Sequence, residues 1–228
     1  MTVLVIEDIT LRDKIHVFRN RSDAGNLLAQ RLSDYKSSDA IILAIPAGGV
    51  PVAHEIAKAL GCLMDLIIVR KIQIPGNTEA GFGAMGPDGE VVFNERLMRQ
   101  LRLTQTEIEQ QVEKTKKALE ARNQAYRGGR PFPNVEQRVV IIVDDGLASG
   151  YTMYEAVKFL RKKGPKKIII AVPTSPELTI QMLLPDVDEI YCLNVRKSFT
   201  FAVADAYRDW YDVSDEEVIS LLEGAQKF

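Results

Sequence analysis

The chain of 228 residues is poor in several features that would narrow its chemistry at once. Its two cysteines, Cys62 and Cys192, lie far apart and form no CxxC pair. That spacing argues against a thiolate metal site or a disulfide framework and for two buried small hydrophobes in a reducing compartment. With only His16 and His54 for imidazole, a His-rich zinc centre is not expected. No stretch of about 18 apolar residues occurs, and the opening "MTVLVIEDITLRDK" brings in acids too early for a secretory leader. A cytoplasmic protein with no membrane partner is therefore expected. The formal net charge of −2 gives no reason to expect a nucleic-acid partner. Repeats and low-complexity tracts are absent too. What is there is the balance of an ordinary globular protein, 46% hydrophobic and 26% charged, in a chain long enough for one large core.

Four apolar runs read as strands covered on both faces: Ala40 to Pro46, Met64 to Lys71, Arg138 to Asp145 and Lys166 to Pro173. They are nearly continuous in Ile, Val and Leu and lack clean alternation, which is the pattern of parallel strands between helical layers. Asp188 to Val195 is a fifth candidate. Between them, "PVAHEIAKALG" from Pro51 places Val52, Ile56 and Leu60 on one stripe and ends at Gly61. "TMYEAVKFLRKKG" does the same with Met153, Ala156, Val157 and Leu160 and closes on basic residues and Gly164. A further helix is expected from Ala24 to Tyr35. Strands alternating with helices predict an α/β fold built on a doubly wound, mostly parallel sheet.

Two segments depart from that rhythm. Gln73 to Asn94 is rich in glycine (Gly76, Gly81, Gly83, Gly86, Gly89) and reads as irregular chain, with "EVVF" as a short ribbon. "TQTEIEQQVEKTKKALEARNQAY" opens with a capping box, Thr104 and Glu107, and predicts a long helix packed along a sheet. A second such box, Ser214 to Glu217, marks a C-terminal helix. No domain boundary stands out, so residues 1–228 read as a single domain.

Ligands in open α/β sheets bind outside the carboxyl ends of the strands, and three loops there carry chemistry. "PAGGVP" has Gly48 and Gly49 where the backbone must turn tightly before a helix. It suits an anion such as pyrophosphate, or is simply a tight turn. Arg70 and Lys71 end an apolar run, and bases are seldom buried without an anion. "VVIIVDDGLASGYTM" ends a greasy strand in Asp144 and Asp145. Their oxygens suit two adjacent hydroxyls or a hydrated Mg²⁺. The amides and hydroxyls of Gly146, Leu147, Ala148, Ser149, Gly150, Tyr151 and Thr152 then suit a phosphate one sugar further on. Rival motifs fail on residues. GxGxxG is missing from both loops, and Tyr151 stands where a GxxxxGK[ST] loop needs Lys.

These residues resemble the diphosphoribosyl-binding signature of type I phosphoribosyltransferases: an apolar strand, two acids, a short turn into Ser-Gly, and Thr two residues on. "FRNRSDAGNLLAQRL", "PAGGVPVAHEIAKAL", "VRKIQIPGNTEAGFGAM" and the closing aromatics extend the likeness over nearly the whole chain, to a branch without an assigned acceptor. The resemblance implies Mg²⁺-dependent transfer of a 5-phosphoribosyl group from phosphoribosyl diphosphate to a nitrogenous acceptor, with release of pyrophosphate. It implies Asp144 and Asp145 on the ribose diol, directly or through water on Mg²⁺, and 146–152 on the 5-phosphate. It implies Ala47, Gly48, Gly49, Arg70 and Lys71 at the pyrophosphate, and a mobile loop at about 73–95 carrying Glu79, a candidate catalytic carboxylate beside Lys71. A hood from about 1–20 and 196–228, and a homodimer, are further implications.

The chain also departs from the family pattern. Many members have Arg or Lys where Ala47 stands, and the 6-oxopurine branch has an acid where Ala148 stands. The first departure shifts anion contacts toward Arg70 and Lys71; the second argues against hypoxanthine or guanine as acceptor. Phe199, Phe201, Trp210 and Tyr211 read as either base-stacking or core aromatics. Two other classes stay open on sequence alone. One is an enzyme that cleaves a phosphoribosyl compound without a base, and the other is a regulatory protein that binds the diphosphate without transfer.

Overall fold

In the computed structural model, residues 4–198 and 200–225 are described, without the side chains of Thr78 and Glu79. The elements run β1 (Leu4–Ile6), α1 (Arg21–Arg31), β2 (Ile41–Ala44), α2 (Gly49–Leu60), β3 (Leu63–Leu66), β4 (Arg70–Ile74), β5 (Asn77–Met85) and β6 (Val91–Phe93). They continue with α3 (Glu95–Leu101), α4 (Gln105–Arg127), β7 (Val139–Val143), α5 (Tyr151–Arg161), β8 (Lys167–Pro176), α6 (Glu177–Leu183), β9 (Glu189–Arg196) and α7 (Asp215–Ala225). Two compact units result. The first holds the chain up to Ile67, Pro133–Gly150 and everything from Lys163 on; the second holds Ile68–Phe132 and Tyr151–Lys162.

The first unit is a six-stranded sheet in the order β1-β9-β8-β7-β2-β3, with every pair parallel. Its central strands explain their own composition. Ile41 to Ala44, Val140 to Val143 and Ile168 to Val172 have essentially no solvent exposure. A strand covered on both faces has no polar side to show, so the apolar runs are continuous. Helix α1 starts one turn earlier than its apolar pattern suggests, because Asn20 caps it by accepting from the Asp23 amide at 3.0 Å. It ends at Arg31, and Ser33–Tyr35 continues as a 3₁₀ turn.

The second unit is a three-stranded antiparallel sheet, β4-β5-β6, and it corrects two expectations. Met64 to Lys71 is not one strand. The parallel ladder with β2 ends at Leu66, and Arg70 and Lys71 open β4, paired to Met85 and Ala84 of β5. The glycine-rich segment after Gln73 is a β-hairpin rather than irregular chain; Gly81 and Gly83 sit where strands and side chains come close, while Gly76 and Gly89 turn the chain at positive φ. A Cβ on Gly81 would fall 2.2 Å from Lys71 Cγ, and one on Gly83 2.6 Å from the Val92 carbonyl oxygen. Both α4, with its Thr104–Glu107 capping box, and α5 pack on this sheet. Met153, Ala156, Val157 and Leu160, the stripe expected on α5, are all buried.

Candidate functional site

The carboxyl edge of the parallel sheet assembles two of the loops picked out by sequence into one structure. Val143 ends β7 in register with Ala44 of β2, so the chain leaves both neighbouring strands at the same level. The turn after β2 lies directly against the acids after β7. A Cβ on Gly48 would sit 2.0 Å from Asp145 Oδ2, and one on Gly49 would sit 2.7 Å from the Val143 carbonyl oxygen and 2.9 Å from Asp144 Cα. Only glycine permits that approach. The Pro46–Ala47 peptide is cis. The amides of Gly49 and Val50 are taken by the carbonyls of Ile45 and Ala47. Among the described residues, those of Ala47 and Gly48 make no backbone hydrogen bond.

Asp144 and Asp145 are adjacent carboxyls held in place by different partners. Asp144 Oδ1 accepts from the Asp145 amide at 2.8 Å. Burial, and then the neighbouring Asp145 charge, hold the Asp144 carboxyl well above the usual carboxylate range. Burial raises Asp145 as well, but the Arg21 guanidinium opposes it. Arg21 Nε donates to Asp145 Oδ2 at 2.8 Å, with Arg21 only 4% and Asp145 14% exposed. A proton retained by the pair therefore belongs on Asp144.

Arg21 was not among the residues singled out from sequence, and it explains several that were. Its Nη1 donates to the Tyr211 carbonyl at 2.8 Å, and its guanidinium carbon lies 3.9 Å from the centre of the Trp210 ring. Tyr207 packs on Trp210 at 5.3 Å and donates its hydroxyl to the Asp145 carbonyl at 2.5 Å. The C-terminal aromatics thus form a cage around the cation that holds Asp145. Trp210 and Tyr211 are partly exposed rather than core. Phe201 lies apart from the cage, over Arg196. Phe199 falls outside the described residues.

The loop after the acids has a fixed base and an open tip. Leu147 is buried, and its amide donates to the Thr174 carbonyl at 2.9 Å. The Ala148 carbonyl accepts from Thr179 Oγ1 at 2.7 Å. Gly150 has φ +79°, and a Cβ there would meet the Thr179 methyl at 2.6 Å. Between these anchors Ala148 and Ser149 are exposed. Gly146 to Gly150 belong to the first unit; Tyr151 and Thr152 open α5 directly afterwards. Arg70, Lys71 and the backbone of Glu79 belong to the second unit, and the Glu79 side chain lies outside the described residues.

Both cysteines are free and buried. Among the described residues, no helix is long and apolar enough to cross a membrane. No group of three or more His, Cys, Asp or Glu gathers among them in a metal-holding cluster.

Comparison with known proteins agrees with the sheet-edge geometry. Residues 18–203 match the model of the phosphoribosyl transferase domain. A protein of Mycobacterium tuberculosis, provisionally named a phosphoribosyl transferase and present in two strains, is 36% identical over 211 residues. The match takes in 92% of this chain and 47% of the relative, so the chain spans about half the length of the curated relatives it matches. A crystal structure of a Thermus thermophilus protein superposes with a TM-score of 0.72 at 35% identity, covering 90% of this chain and 97% of that one.

Proposed function

The chain belongs to the phosphoribosyl transferase domain family, and we propose that it transfers a 5-phosphoribosyl group from phosphoribosyl diphosphate to a nitrogenous acceptor. One observation carries the reading: the acid pair Asp144–Asp145 has the two glycines of the β2–α2 turn packed against it on one side, and the anchored loop 146–150 follows it on the other. A diol clamp between two anion-binding turns matches a ribose bearing a phosphate at one end and a pyrophosphate at the other.

On this reading Asp144 and Asp145 hold the 2- and 3-hydroxyls, and Asp145 keeps its orientation through Arg21. The amides of the 146–152 loop, with Ser149 and Thr152, receive the 5-phosphate. Ala47 and Gly48, whose amides make no backbone hydrogen bond among the described residues, are assigned to the pyrophosphate, and Arg70 and Lys71 are assigned to it as cations. Lys71 and Glu79 are the residues assigned to the mobile loop side of the reaction. Residues 1–20 and 196–228 are assigned to the hood over the acceptor.

The acid pair also fits Mg²⁺. Two hard carboxyl groups lie side by side, and the burial and neighbouring Asp145 charge that raise the Asp144 carboxyl are costs that a divalent cation offsets. Bound there, Mg²⁺ would neutralise charge on the departing pyrophosphate. The chain's own task is to present a deprotonated Asp145, fixed by Arg21, and to keep the ribose oriented while the anomeric centre exchanges partners.

Calorimetry with phosphoribosyl diphosphate, with and without Mg²⁺, tests the reading. Binding that strengthens with Mg²⁺ and is lost in the Asp144→Asn/Asp145→Asn double variant is expected. Binding unchanged in that variant would remove the acid pair from the site. With the donor bound, pyrophosphate release only when a nitrogenous acceptor is supplied identifies transfer. Release in water alone identifies cleavage.

A further inference from the structure

Strands β8 and β9 run on well past the end of β7. Val143, the last residue of β7, pairs with Ala171, while the β8–β9 ladder continues to Pro176 opposite Arg196. At strand rise this adds a wall of about 16 Å beside the acid loop. The loop leans on that wall through the Leu147 to Thr174 and Thr179 to Ala148 hydrogen bonds. Arg196 is the last residue of its outer strand.

Its guanidinium is in an unusual state. Arg196 is 6% exposed, and its Nε and Nη1 have no hydrogen-bond partner among the described residues. Glu7 and Glu177 hold Arg12, and Asp13 accepts from the Lys197 amide at 2.6 Å. What covers Arg196 is the ring of Phe201, 5.8 Å from ring centre to guanidinium carbon. Two residues on, Val203 lies against the acid loop, where a Cβ on Gly146 would come 2.6 Å from Val203 Cγ1. One short segment, 201–203, therefore covers both the turn beside the ribose clamp and the orphaned cation.

A guanidinium cannot shed its charge, and burying it without an anion is costly. Such a group persists where a ligand supplies the missing oxygens. We propose that Arg196 is the residue that selects the acceptor, and that the acceptor is a planar nitrogen compound carrying a carboxylate. The carboxylate accepts from the orphaned guanidinium N–H groups, and Phe201 closes over the pair. The proposal rests on the phosphoribosyl transfer reading and adds the acceptor's class to it. A phosphate of the donor offers the same oxygen chemistry, so the test must separate the two.

The experiment pairs carboxylate-bearing acceptors with neutral counterparts, orotate against uracil and nicotinate against nicotinamide. Each is titrated into the full chain with and without phosphoribosyl diphosphate and Mg²⁺, and pyrophosphate release is followed in parallel. At least one carboxylate is expected to bind 10²-fold or more tightly than its partner. Arg196→Met should abolish that preference, Arg196→Lys should keep part of it, and the donor's Kd should stay within about twofold in both. Because Arg196→Met removes an uncompensated buried charge, its Tm should not fall, whereas a merely structural arginine would lower it. No carboxylate binding to either form, or equal binding of both members of every pair, overturns the proposal. So does a donor Kd that weakens tenfold in Arg196→Met, which would hand the residue to a donor phosphate. Absence of donor binding in the wild type is the separate result that sinks the transfer reading itself.

Discussion

Replacing Arg21 with methionine isolates the contact on which the acid pair most depends. Methionine keeps an apolar stem against Trp210 while removing the 2.8 Å bond to Asp145 Oδ2, the 2.8 Å bond to the Tyr211 carbonyl and the charge over the indole. Breaking a buried ion pair from one side costs about 3–5 kcal/mol, because the partner is left as an uncompensated charge. Here the penalty falls on Asp145, a carboxyl already crowded by Asp144 and already raised by burial. Asp145 can escape part of it by taking up a proton, which argues for the lower end, about 3 kcal/mol. The unsatisfied Tyr211 carbonyl adds about 1 kcal/mol. Against a typical domain stability of about 10 kcal/mol this is a large loss.

Urea denaturation of the wild type, Arg21→Met, Asp145→Asn and the double variant measures it as a cycle. Arg21→Met should lose about 4 kcal/mol alone but only about 1–2 kcal/mol in the Asp145→Asn background, where no carboxylate is left stranded. The coupling should therefore be about 2–3 kcal/mol. A single-variant cost below about 1 kcal/mol, or a coupling near zero, would refute the view that the aromatic cage acts through Arg21 on Asp145.

Gly48→Ala would put a methyl 2.0 Å from Asp145 Oδ2. The carboxylate must swing off its Arg21 contact, so donor affinity should fall about 100-fold by calorimetry with the fold intact by circular dichroism. Asp144→Asn keeps an oxygen for the Asp145 amide and removes a carboxyl that burial holds well above the usual carboxylate range. Stability at pH 7.5 should rise by about 1 kcal/mol in urea while donor binding is lost, the exchange expected where folding works against the ionisation of a site carboxyl. Glu155 lies buried on α5 with neither carboxylate oxygen hydrogen-bonded among the described residues. Burial pushes its carboxyl up to about 7 from an ordinary 4.5, against the pull of Lys158 and Lys162 and with Asp88 and Glu90 adding to the rise. Between those two values the folded chain holds a proton that the unfolded chain has released, so stability falls as pH rises through the window. With screening by solvent and the lysines, the loss is about 2 kcal/mol. The wild-type Tm should drop by about 4–8 °C from pH 4.5 to pH 8 relative to Glu155→Gln; parallel curves would show that Glu155 stays ionised.

How far the site was legible in the sequence depends on whether a residue acts through local pattern or through a contact across the chain. Asp144, Asp145 and the glycines after them announce themselves because a strand end, a turn and a helix start leave consecutive signatures. Gly48 and Gly49 were visible as a turn, though their reason, packing on a carboxylate almost a hundred residues on, was not. Met64 to Lys71 misled for the opposite cause. Continuous Ile and Val say that a strand is buried on both faces, but not where a buried chain changes sheets. The ladder stops at Leu66, the apolar run continues through Val69, and only pairing partners reveal the break.

The two arginines carry this furthest. Arg21 stands in "FRNRSDAGN" as one of two bases in a stretch that reads as a solvated helix start. Arg196 stands beside Lys197 at a strand end like an ordinary charged edge. Neither has a neighbour in sequence that marks it as buried. Arg21 becomes meaningful when Asp145 and Trp210 close on it from opposite ends of the fold. Arg196 becomes meaningful because nothing among the described residues hydrogen-bonds its Nε or Nη1. A buried cation that has found its anion reports how the site is built, and one that has not reports what the site is waiting to bind. The proposed donor half of the site was therefore readable from local motif, while the proposed acceptor half rests on a buried charge whose Nε and Nη1 find no partner among the described residues.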